Sequence, residues 1–234
     1  GSAVGSSIQN PYEDFQRTVD TTARLLEWVR QSSPASRVVG ASSAAVYGSA
    51  FNGPILEQDI GKPFSPYGYH KWMLESLFSS YRDSFGLDLA VIRLFSVYGT
   101  GLEKQLLWDL CQKIEKSDSN AITLNGTGSE VRDWIHISDA SQLLWLLANK
   151  SLNEITVVNG GTGISTSIAE IASLVCSQWG QNHSVKFSGI SRKGDPKSLV
   201  ADISLANELG FSPRVLLQQG ISEVVSWYKA RNLA

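Results

Sequence analysis

Apolar positions along the chain fall into two repeating patterns, and the two alternate. After Asn10-Pro11, residues Phe15, Val19, Leu25, Leu26 and Val29 return at helical spacing, which predicts a helix over 11–30. Pro11 suits the first turn, where a missing N–H costs nothing. Val38-Val39-Gly40-Ala41-Ser42 is short, apolar and followed by small residues, so it reads as a buried strand ending in a loop. Ser65-Pro66 opens a second helix whose inner stripe is Met73, Leu74, Leu77, Phe78 and Tyr81, and Gly86 closes it. Leu89-Ala90-Val91-Ile92-Arg93-Leu94 is another buried strand. Beyond it the pattern predicts helices over 102–114 and 137–149, an extended piece at 121–124 and a strand over 155–159. The turn Gly160-Gly161-Thr162-Gly163 follows, then a helix over 166–178 and two more near 205–209 and 217–230.

Strands alternating with helices predict an α/β fold with a parallel sheet covered on both faces. Ligands of such sheets bind beyond the strand C-termini. Ser42-Ser43, Phe95-Ser96 and Asn159-Gly160 all fall there. After about residue 100 the extended pieces shorten, which predicts a smaller mixed lobe. The 234 residues are 42% hydrophobic, enough apolar surface to offset the entropy of ordering and to exclude a wholly disordered chain. With 20 Lys+Arg against 22 Asp+Glu, the net charge of −2 offers no general attraction to nucleic acid or anionic membrane. No apolar run of about 18 residues is present, and no basic-then-apolar opening resembles a signal peptide. Cys111 and Cys176 are far apart in helical patterns, without CxxC and with three histidines in all. They read as buried thiols of a cytoplasmic protein rather than a disulfide framework or zinc site.

The chemistry concentrates at Tyr67-Gly68-Tyr69-His70-Lys71. Residues four apart share a helical face, so an ammonium stands beside a phenol. A fixed cation favours phenolate, and the spacing predicts a Tyr67 pKa drawn down from about 10. Tyr67 is thereby a candidate proton acceptor for a sugar or alcohol hydroxyl. Ser43, at a strand end 24 residues earlier, can hydrogen-bond the same hydroxyl. His136 and His70 read as structural, and the scattered tryptophans as core or interface.

Several further motifs stand in order: Ser42-Ser43-Ala44-Ala45-Val46-Tyr47-Gly48, Ser65-Pro66-Tyr67-Gly68, Arg93-Leu94-Phe95-Ser96-Val97-Tyr98-Gly99 and Gly126-Thr127-Gly128-Ser129-Glu130-Val131-Arg132-Asp133-Trp134. With Ala3-Val4-Gly5-Ser6-Ser7 before them and Ser191-Arg192-Lys193-Gly194-Asp195-Pro196 after, the chain resembles the extended short-chain dehydrogenase/reductases. Within these it is similar to the NAD-dependent nucleotide-sugar epimerase/dehydratase family, in the manner of UDP-glucose 4-epimerases. The resemblance implies a partial Rossmann-type parallel sheet with a smaller substrate lobe. It assigns 1–100 and about 137–163 to the dinucleotide-binding side, and about 101–136 and 164–234 to the substrate lobe.

The resemblance also implies roles. Tyr67 would be the catalytic base, Lys71 the tuning cation that holds the nicotinamide ribose, and Ser43 the hydroxyl-binding partner. Phe95 would line the nicotinamide pocket. Arg132 and Arg192 would grip the substrate diphosphate, with Asp195 positioning Arg192 or a ribose hydroxyl. Ser96 would face the sugar, Gln105 the nucleotide base, and Leu199 a position that gates sugar size. Dehydratases of the family carry an Asp-Glu pair after the catalytic hydroxyl residue, whereas this chain has Ala44 and Ala45. The pattern therefore implies C4 epimerisation of a UDP-hexose or UDP-N-acetylhexosamine. The alternatives are a 4-ketoreductase or 4,6-dehydratase, and a non-catalytic sugar-nucleotide-binding module.

The family's glycine-rich cofactor turn is not found among the 234 residues. Gly160-Gly161-Thr162-Gly163 and Gly126-Thr127-Gly128 lack the third glycine at the needed spacing and read as tight turns. The chain reads as starting after the family's fourth strand, so it is expected to bind NAD weakly and to lack turnover by itself. Micromolar NAD binding in calorimetry would overturn that expectation. A strand 38–42 left at a sheet edge is expected to pair with another copy or to be covered by the N-terminal segment. The resemblance offers helices 11–30 and 66–84 as a second homo-oligomer surface.

Overall fold

A computed structural model describes residues 3–117, 121–150, 157–180, 183–190 and 195–231. The N-terminal segment forms α1 (Val4–Gln9) and α2 (Pro11–Phe15), a π-helical turn over Gln16–Asp20, and α3 (Thr21–Ser32). The predicted helix over 11–30 is thus one helical run with a widened turn inside it. The Thr21 hydroxyl donates to the Gln16 carbonyl five residues back at 2.9 Å, a bond that suits the wider turn. The chain continues through β1 (Val38–Ser43), a 3-10 turn at Ala44–Tyr47, β2 (Pro54–Ile55), α4 (Pro66–Phe85), β3 (Leu89–Leu94) and β4 (Ser96–Tyr98). Next come α5 (Gln105–Glu115), β5 (Ala121–Leu124), β6 (Val131–His136), α6 (Ile137–Asn149), β7 (Val157–Gly160) and β8 (Ser165–Ser167). The remaining elements are α7 (Ile168–Trp179), β9 (Ser184–Phe187), β10 (Ser198–Ala201), α8 (Ser204–Glu208) and α9 (Leu217–Arg231).

The main sheet is parallel, in the order β1-β3-β7, with Val38 opposite Leu89 and Leu94 opposite Gly160. Its faces differ because β3 side chains alternate. Val91 packs with Leu26 and Val29 of α3 and Leu74 and Phe78 of α4. Ile92 packs on the other face with Leu143 and Leu147 of α6 and Phe211. Gly40 lets α4 lie close on β1: a Cβ there would sit 2.6 Å from the Phe78 ring. α4 is sharply delimited. The Ser65 hydroxyl accepts from the Gly68 N–H, Pro66 occupies the first turn, and Gly86 closes it at φ 67°.

The later part is mixed, as expected. β2-β10-β6-β4 form a second sheet, with β8 antiparallel to β6, and β5 pairs β9. Two helix starts move inward by two residues or more. The helix predicted over 102–114 starts at Gln105, and the one predicted over 166–178 starts at Ile168, since Ser167 caps it by accepting from the Glu170 N–H. Residues 155–156 of the predicted 155–159 strand lie outside the described residues. Cys111 and Cys176 are both buried and unbridged.

β1 lies at the edge of its sheet, and among the described residues β3 is its strand partner. Among the described residues the N-terminal segment adds no strand to that edge. It coils into α1, which packs on α2 and α4 instead. Leu25 and Trp28 on α3, and Trp72 and Met73 on α4, are exposed.

Tyr47 sits where the two sheets meet, 1% exposed, with its hydroxyl donating to Asn159 Oδ1 at 2.7 Å. Burial pushes its phenol up to about 12. A folded pKa above the unfolded value favours the fold below about pH 10, and that contribution is lost as the pH climbs toward 12, about 3 kcal/mol in all. Thermal midpoints should therefore fall over this alkaline window. In Tyr47→Phe they should fall less steeply; an identical slope would discount Tyr47 as a cause.

Candidate active site

The tips of β1 and β3 open into a cavity of about 500 Å³. Ser43, Tyr67, Phe95, Ser96, Gln105, Arg132, Asp195 and Leu199 all line it. Side chains up to 156 positions apart in the chain thus share one space (Ser43 to Leu199). Lys71 stands behind the wall, and Arg192 lies outside the described residues.

Tyr67 belongs to the first turn of α4, and its backbone N–H donates to the Ser7 hydroxyl of α1 at 3.1 Å. Ser43 ends β1 and caps the following turn by accepting from the Ala45 N–H at 3.2 Å. The Ser43 side chain shares the cavity wall with the Tyr67 phenol. Ala44 and Ala45 form part of the same wall and offer methyl groups only.

The expected lowering of the Tyr67 pKa is not what the geometry gives. Burial pushes the phenol up, the neighbouring Ser43 hydroxyl opposes this, and the nearby Asp14 charge adds to the rise. The Lys71 ammonium is turned to the strand instead, donating to the Ala41 carbonyl at 2.8 Å, with its nitrogen 5.8 Å from the Tyr67 ring centre. Burial pushes Lys71 down, while Asp14 and Glu75 push it up. Without ligand, Tyr67 is therefore a protonated phenol at neutral pH. His70 turns from the cavity to a buried Asp14, Nδ1 to Oδ2 2.5 Å, and His136 caps α6, both structural as expected.

Arg132 sits at the other part of the cavity wall. Its Nη1 donates to the carbonyls of Val131 and Pro196 at 2.8 and 2.9 Å, which fixes the guanidinium. Burial lowers its pKa and the Asp195 charge raises it, so Asp195 acts on Arg132. Gln105 has φ 70°, a left-handed conformation that a non-glycine residue rarely holds outside functional or strained sites.

Sequence reasoning missed Ser7, Phe64, Glu75 and Arg93. Phe64 lines the cavity. Glu75 accepts from Ser42 and Arg93, just behind the Ser43–Tyr67 pair. Glu75 follows Lys71 by four residues, a spacing that marks a shared helix face and was available in the sequence.

Both glycine turns are closed around carboxylates of the chain itself. Thr162 and Gly163 donate their N–H groups to Asp133, and a Cβ on Gly161 would lie 2.4 Å from that carboxylate. Thr127 and Gly128 donate theirs to Glu130. Neither turn keeps these N–H groups for a phosphate. For a nicotinamide dinucleotide, the groups that fit are the Tyr67 hydroxyl and the Phe95 ring on the cavity wall, with the Lys71 ammonium next to Tyr67 and held by the Ala41 carbonyl.

A parallel sheet whose strand tips meet a Tyr-x-x-x-Lys helix and an arginine-bearing cavity defines the extended short-chain dehydrogenase/reductase class. The chain belongs to the nucleotide-sugar epimerase/dehydratase family of that class, and residues 1–224 match its GDP-mannose 4,6 dehydratase family model. It is 31% identical to a Methanocaldococcus jannaschii protein provisionally named a UDP-glucose 4-epimerase, over 98% of this chain and 74% of that one. It is 30% identical to the dTDP-glucose 4,6-dehydratase of Streptomyces griseus, over 92% and 65%. The solved structure of MoeE5 in complex with UDP-glucose and NAD superimposes with a TM-score of 0.87 at 32% identity, covering 99% of this chain and 77% of that one.

Proposed function

We propose that the chain handles a UDP-hexose or UDP-N-acetylhexosamine in an NAD-dependent epimerisation at C4. One observation carries this: Ser43, Tyr67 and Arg132 share a cavity in which the positions of the dehydratase acid and base are Ala44 and Ala45. Methyl groups cannot move the protons that loss of water requires. The dehydratase and ketoreductase readings stand as the alternatives.

In this reading Arg132, already fixed by two carbonyls, grips the diphosphate, and Asp195 keeps its charge in place. Gln105 faces the nucleotide base and Ser96 the sugar. Ser43 orients the C4 hydroxyl toward the Tyr67 oxygen. Tyr67 takes the hydroxyl proton and returns it after the sugar ring has turned. Lys71 and Phe95 meet the nicotinamide end of the cofactor. When bound, NAD supplies a hydride acceptor and a positive charge that draws the Tyr67 phenol down toward the working pH. The committed glycine turns support weak NAD binding by these residues alone. Residues 1–100 and about 137–163 serve the cofactor side, and about 101–136 and 164–234 the substrate side.

The test incubates a protein that carries these residues together with a glycine-rich cofactor turn with saturating NAD and UDP-glucose, UDP-galactose or their N-acetyl forms, with products read by NMR. Interconversion of the C4 epimers is expected there, and no turnover from the 234 residues by themselves. Tyr67→Phe should slow it by about 10²–10⁴-fold, the usual range for a lost acid–base group, with UDP affinity unchanged. A 4-keto-6-deoxy product would instead establish a dehydratase.

A further inference from the structure

Successive residues at the tip of β1 meet three residues that share one face of α4. Ser43 stands with Tyr67 on the cavity wall, the Ala41 carbonyl accepts from Lys71 at 2.8 Å, and the Ser42 hydroxyl donates to Glu75 Oε1 at 2.5 Å. Tyr67, Lys71 and Glu75 are spaced by four, so each stands one turn beyond the last. The Ser42–Glu75 bond is anchored from β3. Arg93 grips Glu75 with both arms of its fork, Nε to Oε1 at 3.0 Å and Nη2 to Oε2 at 2.7 Å. Its Nη1 also donates to the Tyr47 hydroxyl at 2.9 Å and to the Glu57 carbonyl at 2.8 Å. Tyr47 in turn donates to Asn159 on β7.

The ion pair is almost enclosed, with side-chain exposures of 12% for Arg93 and 8% for Glu75. Stability alone is a poor reason to keep it. Two desolvated charges roughly break even against apolar residues of equal volume, and such replacements are often neutral or stabilising. What apolar residues cannot supply is the bond to Ser42 and its fixed length and direction. Ser42 is the neighbour of Ser43, and Glu75 stands on the helix that carries Tyr67.

We propose that Glu75 and Arg93 are positioning residues: through Ser42 they set the separation of Ser43 and Tyr67 at which both oxygens meet one substrate hydroxyl. The inference rests on the reading of Ser43 and Tyr67 given above and adds residues to it. Neither Glu75 nor Arg93 lines the cavity, so neither touches the sugar. Their effect is confined to the contact with the C4 hydroxyl and leaves the diphosphate grip alone.

The test compares UDP-glucose, its 4-deoxy analogue and UDP in calorimetry on the 234-residue chain, alongside thermal midpoints. The wild type should prefer UDP-glucose over the 4-deoxy analogue by about tenfold, the worth of one or two net hydrogen bonds. The double variant Glu75→Leu with Arg93→Met should melt close to the wild type and bind UDP equally well, yet lose that preference. Ser42→Ala leaves the ion pair intact and should lose about threefold of the preference, deciding the matter should the double variant not fold. Full preference in the folded double variant, or in Ser42→Ala when the double does not fold, overturns the positioning role and leaves the functional reading standing. Wild-type indifference to the 4-hydroxyl, or failure to bind UDP-glucose, overturns the functional reading and this inference with it.

Discussion

Asp133→Ala is expected to remove about 4 kcal/mol of folding stability, a large share of the 5–15 kcal/mol that holds an ordinary domain together. The carboxylate is fully buried and accepts four hydrogen bonds: from the Thr162 N–H and hydroxyl at 2.7 Å each, the Gly163 N–H at 2.9 Å and the Ala201 N–H at 3.1 Å. It thereby joins β6, the turn after β7 and β10. Alanine leaves three backbone donors without an acceptor, each costing about 1–3 kcal/mol. Asp133→Asn keeps the shape and one carbonyl acceptor and should lose about half as much. Urea melts measure both, and a loss under about 1 kcal/mol for the alanine variant would show that the two loops hold themselves in place.

The largest effect on ligand binding is expected one residue earlier. Arg132→Ala should weaken UDP and UDP-glucose equally, by about 100-fold, because a desolvated charge–phosphate contact is worth about 2–5 kcal/mol. Arg132→Lys restores the charge without the planar fork and should recover about half of that loss on a logarithmic scale. Calorimetry with UDP alone is the check. An unchanged dissociation constant in Arg132→Ala would move the diphosphate away from this end of the cavity. Adjacent strand residues point to opposite faces, so Arg132 and Asp133 can hold these two separate jobs.

The parts of the fold that were legible in the sequence are those whose causes are local. Leu89–Leu94 is the central strand, its first four residues buried, and stands out as an apolar run, while the edge strand Val38–Ser43 shows as two valines followed by small residues. The limits of α4 are written in Ser65, Pro66 and Gly86. β6 and β10 are different. Their polar members face the cavity or an enclosed carboxylate whose partners lie 29 and 68 positions away, so no short window of sequence shows why they are extended. The site divides in the same way. Ser43, Tyr67 and Lys71 are found by spacing and by resemblance, whereas Arg93 acquires its task from a glutamate 18 positions earlier and a tyrosine 46 positions earlier. The direction of the Lys71 side chain was beyond spacing too. A shared helix face fixes which groups are neighbours, but the Ala41 carbonyl decides where the ammonium points.

The stretch from β1 through α4 to β3, with a 3-10 turn and β2 between the first two, holds Ser43, Tyr67, Lys71, Glu75 and Arg93 together. Arg132 and Asp195 come from later stretches of chain. Inheritance can act on these two stretches separately. A recombination crossover placed after β3 would pass on intact the unit to which we assign proton handling, while exchanging the segments to which we assign recognition of the diphosphate. A lineage could in this way diversify its choice of sugar nucleotide and keep the same reactive centre.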